Sequence, residues 1–193
     1  FVWLAFNAPH APFHLPPLDL HGHDDLEGQP IPGKPVEHYH AMIEAMDTEI
    51  GRLLDGLAPG VLDATWVIFL GDNGAPPAVT MPPLSPGHAK DSLYQGGVHV
   101  PLVIAGPGVV GGGRHVDAVV HVLDLFESIL ELAQVDRAKA VPAEVTVDSV
   151  SLVPYLTNPD QAPLRSWVMT ELFGSTTAAA QNGKAIRDES FKL

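Results

Sequence analysis

The stretch that decides the fold reads Thr65-Trp66-Val67-Ile68-Phe69-Leu70-Gly71-Asp72-Asn73-Gly74. Its β-branched and aromatic run is typical of a strand that is buried on both faces. The run stops at Asp72 and Asn73, and Gly74 then lets the backbone turn sharply. Ligands of open α/β sheets bind at such strand ends, and Ca²⁺ and Mg²⁺ prefer carboxylate and carbonyl oxygens. Asp-Asn-Gly is also ordinary turn chemistry, so the tripeptide alone leaves a metal site and a plain turn both open.

Composition narrows the class of protein. The chain of 193 residues is 46% hydrophobic and 17% charged, which predicts a globular fold with a sizeable core. Ten Lys and Arg against 23 Asp and Glu give a formal net charge of −13, which argues against a nucleic acid or an anionic membrane as partner. No run approaches the roughly 20 apolar residues of a membrane span. Because the chain has no cysteine, it has no disulfide, thiolate metal site or cysteine nucleophile, and its compartment stays open.

The segments before this stretch predict a strand and a helix. Residues 1–6 have the apolar composition of a core strand. Apolar side chains recur at helical spacing from Tyr39 to Leu57, which predicts an amphipathic helix of about five to six turns that ends near Gly60. A strand, a helix and a second strand in this order favour a parallel sheet with a crossover helix.

Between that strand and that helix, residues 15–35 are rich in Pro, Gly, His and Asp. This composition predicts a long surface loop without a core of its own. The loop contains His21-Gly22-His23-Asp24-Asp25, a run with the residue types of a metal site. Because ligands on a flexible loop are not preorganised, a solvated loop is the favoured interpretation.

The second half of the chain predicts further strands and one helix. Short apolar runs at residues 102–105 and 167–172 are typical of strands, and Gly96-Gly97 predicts a bend. Apolar residues at helical spacing between 122 and 133 predict a helix, with Asp124 as a structural cap near its first turn. The predicted fold class is therefore α/β, with a largely parallel sheet flanked by helices.

Two basic residues are candidates for contact with an anion. Pro9 and Pro12 fix the backbone around His10 at the end of the first predicted strand. Lys90 follows Gly87-His88-Ala89, where the glycine allows close backbone approach to an oxyanion. Each has a plain alternative: His10 as a loop histidine bonded to a carbonyl, and Lys90 as a surface lysine paired with a carboxylate.

The order of these motifs resembles the sulfatase family, within the alkaline-phosphatase-like superfamily. The resemblance covers nearly the whole chain, and although each motif alone is weak, the ordered set is specific. The segments that carry it are residues 4–13, 39–57, 69–74, 87–90, 93–98, 100–102, 124–126, 132–133, 151–152, 185–187 and 192–193.

The resemblance implies an activity and a set of site residues. It implies a sulfuric ester hydrolase, arylsulfatase-like, that releases sulfate from a small-molecule sulfate ester. Asp72 and Asn73 match the pair that completes a Ca²⁺ or Mg²⁺ site in this family. His10 matches the histidine that contacts the ester near its leaving oxygen, and Lys90 matches a lysine that contacts the sulfate, with His88 in the same segment. Such groups can stabilise the charge that builds on sulfate oxygens during transfer.

The chain also departs from the family pattern. Sulfatases use a formylglycine made from Cys or Ser in a Cys/Ser-x-Pro/Ala-Ser/Ala-Arg motif, and no serine here begins that motif. The family's paired aspartates are absent too, and Gln95 and His99 stand where Glu and Arg are common. Superfamily members with two zinc ions usually carry His at the position of Asn73. Because Asn is a poor zinc ligand, Asn73 favours the one-metal sulfatase or phosphonate-monoester-hydrolase branch.

These departures lead to an expectation about the extent of the chain. We expect the C-terminal portion of a sulfatase catalytic domain in residues 1–184, and the start of a following strand or small subdomain in residues 185–193, with the formylglycine in a missing upstream part. The chain alone should then be inactive and should self-associate through exposed sheet edges. The alternatives are a non-catalytic remnant or anion-binding module on the same fold, and a phosphonate or phosphate ester hydrolase.

Overall fold

The computed structural model describes residues 1–173 and 182–193, which form two compact units. The first unit comprises Phe1–Leu62 and Asn73–His99, and the second comprises Asp63–Asp72 and Val100–Leu193. The chain therefore passes from the second unit back to the first between the two predicted metal ligands. The domain boundary predicted at residues 184 and 185 lies within a strand of the second unit, Gly183–Arg187.

The first unit is built on one long helix, α1, which spans Pro35–Asp55. It buries Ala41, Met42 and Ala45 on one face, as its apolar periodicity predicts. The helix begins one turn earlier than expected, with Pro35 at its first position, where a missing N–H costs nothing. No helix in the described residues is both long enough and apolar enough to cross a membrane.

The segment before α1 lies mostly at the surface, as predicted, and it packs onto the helix instead of hanging free. It contains 3₁₀ turns at Leu18–Leu20, Asp24–Leu26 and Ile31–Gly33, and the side chain of Leu26 is buried. The Glu44 carboxylate on α1 accepts a hydrogen bond from the Gly22 N–H at 2.9 Å and contacts His23 Nε2 at 3.0 Å. The hydrogen bond from Gly22 lowers the pKa of Glu44. His23 therefore helps to fasten the segment to the helix, while His21 bonds within the segment, to the Pro16 carbonyl and the His23 N–H.

The first six residues form no regular secondary structure, so the predicted first strand is absent from the described chain. Phe1 is 94% exposed and Trp3 is 73% exposed. Strand composition by itself does not make a strand, because the backbone needs a neighbour that accepts and donates its hydrogen bonds. No strand pairs with this segment among the residues that the structure describes.

The second unit contains two pairs of strands, and both pairs are antiparallel. Strand β1 (Val67–Leu70) pairs with β2 (Leu102–Ala105), and β3 (Val168–Leu172) pairs with β4 (Gly183–Arg187). The mixture of helices and strands is as predicted, but the described residues do not form the largely parallel sheet. An apolar run indicates burial and not direction, because direction depends on which strands become neighbours.

The burial of β1 also differs from the prediction. All four of its residues are partly buried, and Val103 opposite Phe69 on β2 is 58% exposed. The two strands therefore cover the core of their unit with one face, while part of the other face is open. The expectation of a strand buried on both faces is wrong for this pair.

The core of the second unit lies between β1, β2 and the helices α3 (Asp124–Leu132) and α5 (Val153–Thr157). The short helix α4 (Arg137–Ala140) of this unit is exposed, and the short helix α2 (Gln95–Val98) belongs to the first unit. The core combines buried residues with apolar residues packed on them: Leu125, Leu152, Tyr155, Ile68, Leu70, Leu102, Ile104, Ala118, Val120, Ile129 and Leu164.

Asp124, predicted as a helix cap, forms a buried ion pair. The two oxygens of its carboxylate share the Nε–H of Arg165, at 2.8 and 2.9 Å, and one of them also accepts a hydrogen bond from Arg165 Nη2. It also accepts the N–H groups of His121 at 2.8 Å and Val150 at 2.9 Å. The bond to His121 is a local contact of the capping kind, but the other partners are distant in sequence.

Candidate functional site

Strand β1 leads directly to the predicted metal ligands. The Gly71 N–H donates to the Pro101 carbonyl at 3.0 Å, so the backbone stays paired for one residue beyond the strand. A Cβ on Gly71 would lie 3.0 Å from the Pro101 ring, so a larger residue would press on this contact. Asp72 follows and is exposed. Its carboxylate therefore projects from the end of an anchored strand, as the sequence indicates for a residue at a strand end.

Asn73 begins a segment of the first unit that packs closely on two others. The Gly74 N–H donates to the Gly97 carbonyl at 3.0 Å, and a Cβ on Gly74 would lie 1.7 Å from the Gly96 oxygen. A Cβ on Gly96 would lie 2.5 Å from the His88 oxygen. We call Gly74, Gly96 and Gly97 the glycine cluster. Because no side chain intervenes, the segments that carry Asn73 and His88 are held by main-chain contact.

Gly96 and Gly97 form part of α2, so the predicted bend is a turn of helix. Both glycines are buried. A Cβ on Gly97 would lie 2.2 Å from the Ser92 oxygen, which shows how closely α2 approaches the preceding loop. Composition missed this helix because glycine disfavours helices, and only the close packing accounts for it here.

The backbone around His88 and Lys90 is fixed at several points. The His88 N–H donates to the Ser85 carbonyl at 2.8 Å, and the Lys90 N–H donates to the Ala75 carbonyl at 3.0 Å. Between them Ala89 is buried, and its carbonyl accepts a hydrogen bond from Ser92 Oγ at 2.6 Å. These bonds therefore fix the backbone positions from which the side chains of His88 and Lys90 extend.

The side chains of Lys90 and His88 keep their polar atoms available. Lys90 is half-buried, yet its ammonium has no ion pair or hydrogen bond within residues 1–173 and 182–193. The alternative of a surface lysine paired with a carboxylate is therefore not what the described chain shows. The imidazole of His88 stacks on the ring of Tyr94, with centroids 3.6 Å apart and planes inclined by 18°. Neither ring nitrogen of His88 has a hydrogen-bond partner in the same residues.

His10 makes the local contact expected of a loop histidine. Its Nδ1 lies 2.6 Å from the Ala11 carbonyl, and since a carbonyl only accepts, Nδ1 carries the donated proton. In the neutral ring Nε2 then carries the lone pair. The His10 N–H donates to the Asn7 carbonyl at 2.9 Å, which closes a turn. The side chain is exposed, so Nε2 is open to solvent.

The structure places four of the five predicted site residues in the first unit and leaves Asp72 in the second. Among the described residues, no hydrogen bond or ion pair joins His10, His88 and Lys90 to one another. Residues 1–173 and 182–193 also contain no group of three or more His, Asp or Glu side chains that could hold a metal ion. Asp72 and Asn73 supply the oxygen chemistry that Ca²⁺ prefers, but they are only two ligands for a site that needs about six.

Two features escaped the analysis of the sequence. Tyr94 entered only as part of a family motif, although its position six residues after His88 places the two rings together. The pair of Asp124 and Arg165 has no sequence signal, because the two residues are 41 positions apart. Burial would raise the pKa of Asp124, but hydrogen bonds from Arg165, Val150 and His121 outweigh it and hold that pKa below its usual range.

Comparison with known proteins defines the family. The family model described as Sulfatase matches residues 1–135, which is more than half of the chain. The chain belongs to the sulfatase family, which confirms the resemblance in its motifs. It is 29% identical over 165 residues to the uncharacterized sulfatase YdeN of Escherichia coli K12, and 30% identical over 152 residues to arylsulfatase K of Gallus gallus.

Solved structures place the chain within the sulfatase fold. It matches a phosphonate monoester hydrolase from Silicibacter pomeroyi with a TM-score of 0.65 and 25% identity, over 81% of this chain and 31% of that one. It matches a 2-O GAG sulfatase with a TM-score of 0.60 and 24% identity, over 81% of this chain and 32% of that one, which is a likeness of fold. Such neighbours have an alkaline-phosphatase-like fold.

The match covers a limited part of each relative. The alignment takes in 83% of this chain but 27% of YdeN, and 74% of this chain but 26% of arylsulfatase K. The chain therefore spans about a quarter of the length of the curated relatives that it matches.

Proposed function

We propose that the chain contributes the sulfate-contacting part of the active site of a sulfuric ester hydrolase. The observation that carries this proposal is the ammonium of Lys90. It is half-buried on a fixed backbone and has no ion pair in the described chain, although the protein has 23 acidic residues against ten Lys and Arg. A lysine left unpaired in so acidic a chain is suited to an anionic ligand from outside.

The other site residues have matching roles in this proposal. Lys90 donates to sulfate oxygens as negative charge builds there, and His88 adds a donor from its ring. His10 in its protonated form donates from Nε2 to the oxygen of the departing alcohol. The bond from Nδ1 to the Ala11 carbonyl supports this role, because it fixes which nitrogen points away from the protein's own backbone.

The proposal includes a divalent cation, Ca²⁺ or Mg²⁺. Asp72 and Asn73 would hold it through one carboxylate and one amide oxygen, and its other ligands would come from residues beyond this chain. When bound, such a cation withdraws charge from the sulfate oxygens. A formylglycine in a segment beyond this chain would supply the nucleophile, since the motif for making it is absent here.

The same proposal accounts for the exposed apolar start of the chain. Phe1 and Trp3 have the composition of a core strand but are almost uncovered. In a complete catalytic domain, residues 1–6 would form a strand of a largely parallel sheet flanked by helices. With that surface open, the chain alone is expected to self-associate.

Hydrolysis of 4-nitrophenyl sulfate tests the role of Lys90. The chain is co-expressed with the formylglycine-bearing segment of its protein, and release of 4-nitrophenol is followed. Lys90→Ala should lower kcat/KM on the order of 100-fold, because a donor to the developing charge is lost. Lys139→Ala is the matched control: it removes the same charge from an exposed lysine paired with Asp136 at 3.4 Å, and should change little.

Three outcomes separate the alternatives. Unchanged activity of Lys90→Ala would exclude the proposed role. Turnover by the chain alone, abolished by Lys90→Ala, would show that no second segment is required. Sulfate binding that depends on Lys90, with no turnover even alongside the second segment, would identify an anion-binding module in place of an enzyme.

Calorimetry tests the proposed cation ligands. Titration of the chain alone with CaCl₂ should give negligible heat, because Asp72 and Asn73 are two of about six ligands. In the complex with the second segment, Ca²⁺ should bind and Asp72→Ala should weaken it. Tight binding to the chain alone that Asp72→Ala abolishes would contradict the shared site.

A second candidate function is hydrolysis of phosphonate or phosphate esters. The observation in its favour is the likeness to the phosphonate monoester hydrolase, with its TM-score of 0.65. Paired assays on 4-nitrophenyl sulfate and 4-nitrophenyl phenylphosphonate separate the two functions. A higher kcat/KM for the phosphonate would make it the main activity.

A further inference from the structure

The ring of Tyr94 has no evident role in the core of the first unit. It is 54% exposed, and its contact with another ring is the stack on His88 at a centroid distance of 3.6 Å. In the described residues, the one ring that Tyr94 contacts is therefore that of His88.

Both residues of the stack stand on fixed backbone. The His88 N–H donates to the Ser85 carbonyl at 2.8 Å, and the His88 carbonyl lies against Gly96. The Tyr94 carbonyl accepts the N–H groups of Gly97 at 2.9 Å and Val98 at 3.2 Å. The main chain thus brings the two rings face to face, and the glycine cluster is part of what holds both.

A stack orients an imidazole without using its nitrogens. A hydrogen bond would fix the ring equally well, but it would occupy one of the two polar atoms that a ligand needs. Within the described residues, both nitrogens of His88 are without a partner, while one face of the ring is covered by Tyr94. This combination is what a ligand-binding histidine requires.

We propose that Tyr94 is a positioning residue, which holds the His88 imidazole so that its nitrogens remain available to the oxygens of a sulfate ester. This inference rests on the proposed function, in which His88 contacts the sulfate. Tyr94 acts through His88 and does not itself touch the reacting atoms. Its hydroxyl is not required, because the stack involves only the ring.

Two substitutions separate the ring from the hydroxyl. Tyr94→Phe keeps the stack, and Tyr94→Leu removes the aromatic face while keeping an apolar side chain. NMR of the full chain with ¹³C-labelled histidine reports the stack directly, through the upfield ring-current shift of the His88 imidazole protons. That shift should be present in the wild type and Tyr94→Phe, and lost in Tyr94→Leu. If the wild type shows no such shift, the proposal is overturned, whatever the rate of sulfate ester hydrolysis.

Kinetics with 4-nitrophenyl sulfate test the consequence. In the active protein, Tyr94→Leu should lower kcat/KM roughly fivefold, the size expected for loss of one aromatic pair, and Tyr94→Phe should restore it. In the background of His88→Gln, Tyr94→Leu should have no further effect, because the residue that it positions is gone. An equal effect of Tyr94→Leu with and without His88 would show a structural role and overturn the proposal.

Lys90→Ala distinguishes failure of this inference from failure of the proposed function. If Lys90→Ala abolishes hydrolysis while Tyr94→Leu loses the ring-current shift and keeps full activity, the function stands and the positioning role is excluded. If Lys90→Ala keeps full activity, the proposed sulfate site is wrong and the positioning role is excluded with it.

If no preparation hydrolyses the ester, titration of the chain with inorganic sulfate decides instead. The proposal is supported if Tyr94→Leu weakens sulfate binding and Tyr94→Phe does not. Equal sulfate affinity in all three forms overturns it.

Discussion

The loops around the candidate site in the first unit and the segments around α3 in the second unit are joined by different chemistry. In the first unit, the segments that carry Asn73, His88 and Gly97 meet through main-chain atoms at the glycine cluster. In the second unit, the segments around α3 meet through side chains, chiefly the carboxylate of Asp124 and the guanidinium of Arg165. One arrangement leaves polar side chains free for a ligand, and the other uses them to hold the fold.

The side-chain network of the second unit links three segments of the chain. Besides Asp124 and Arg165, it includes Ser128, whose Oγ donates to the Asp124 carbonyl at 2.5 Å and accepts the Leu152 N–H at 2.8 Å. Arg165 also donates to the Asp148 carbonyl. Such a network fixes residues 148–152 against α3, and we call it the Asp124 network. The comparison teaches that the buried ion pair of Asp124 and Arg165 holds the fold, while Lys90 and His88 of the candidate site keep their polar atoms unpaired in the described chain.

The largest effect is expected from removal of the buried carboxylate. Asp124→Ala should lower the free energy of unfolding by about 3 kcal/mol or more, because Arg165 is left largely buried without its partner. Urea denaturation followed by circular dichroism measures this change. Asp136→Ala is the control: this exposed aspartate caps α4 through the Ala138 N–H at 3.0 Å, and its loss should cost about 1 kcal/mol. Equal losses in the two variants would show that the network is not special.

The glycine cluster should respond to a single methyl group. Gly74→Ala places a Cβ where the Gly96 carbonyl now lies, so backbone must shift and about 1–3 kcal/mol of stability should be lost. Gly51→Ala provides the matched control, because Gly51 lies within α1 with no atom within 4 Å of its added Cβ. That substitution should stabilise the protein by roughly 0.5–1 kcal/mol. Urea denaturation measures both changes in the free energy of unfolding. A loss in Gly74→Ala with a gain in Gly51→Ala would confirm the close contact at Gly74, and a gain in both variants would refute it.

The smallest of these effects is expected in the dependence of stability on pH, to which the Asp124 network contributes. Because the folded pKa of Asp124 lies below its usual value of 3.8, its contribution is complete above that value and is lost as pH falls through the folded pKa. The free energy of unfolding should therefore fall in acid below about pH 4, and Asp124→Asn should remove part of that fall. Urea denaturation at several values between roughly pH 2.5 and pH 6 measures how the free energy of unfolding depends on pH in the wild type and in Asp124→Asn. An unchanged slope in Asp124→Asn would assign acid sensitivity to other carboxylates.

Sequence patterns predicted those parts of the fold that depend on near neighbours. Helix α1 follows from apolar residues recurring at helical spacing, and β2 at Leu102–Ala105 follows from a short apolar run. The family also followed from the order of local motifs, and the Sulfatase match confirms it. The roles of Asp72, Asn73, His10, His88 and Lys90 stay predictions that the experiments above address.

Patterns failed where distant segments decide the outcome. Residues 1–6 have strand composition, but no neighbouring strand pairs with them in the described chain. Strand β1 runs antiparallel to β2, and composition carries no information on direction. Gly96 and Gly97 lie in a helix because close packing outweighs their weak helical propensity.

The sequence by itself therefore determined the family, the longest helix and the chemical types of the candidate site, because composition and spacing act over a few residues. Only the tertiary structure decided which polar groups are satisfied. It gave Asp124 a partner 41 residues away, and it left the ammonium of Lys90 and the nitrogens of His88 without one in the described chain. The physical reason is that a hydrogen bond or ion pair depends on which segments meet, and folding decides this over the whole chain.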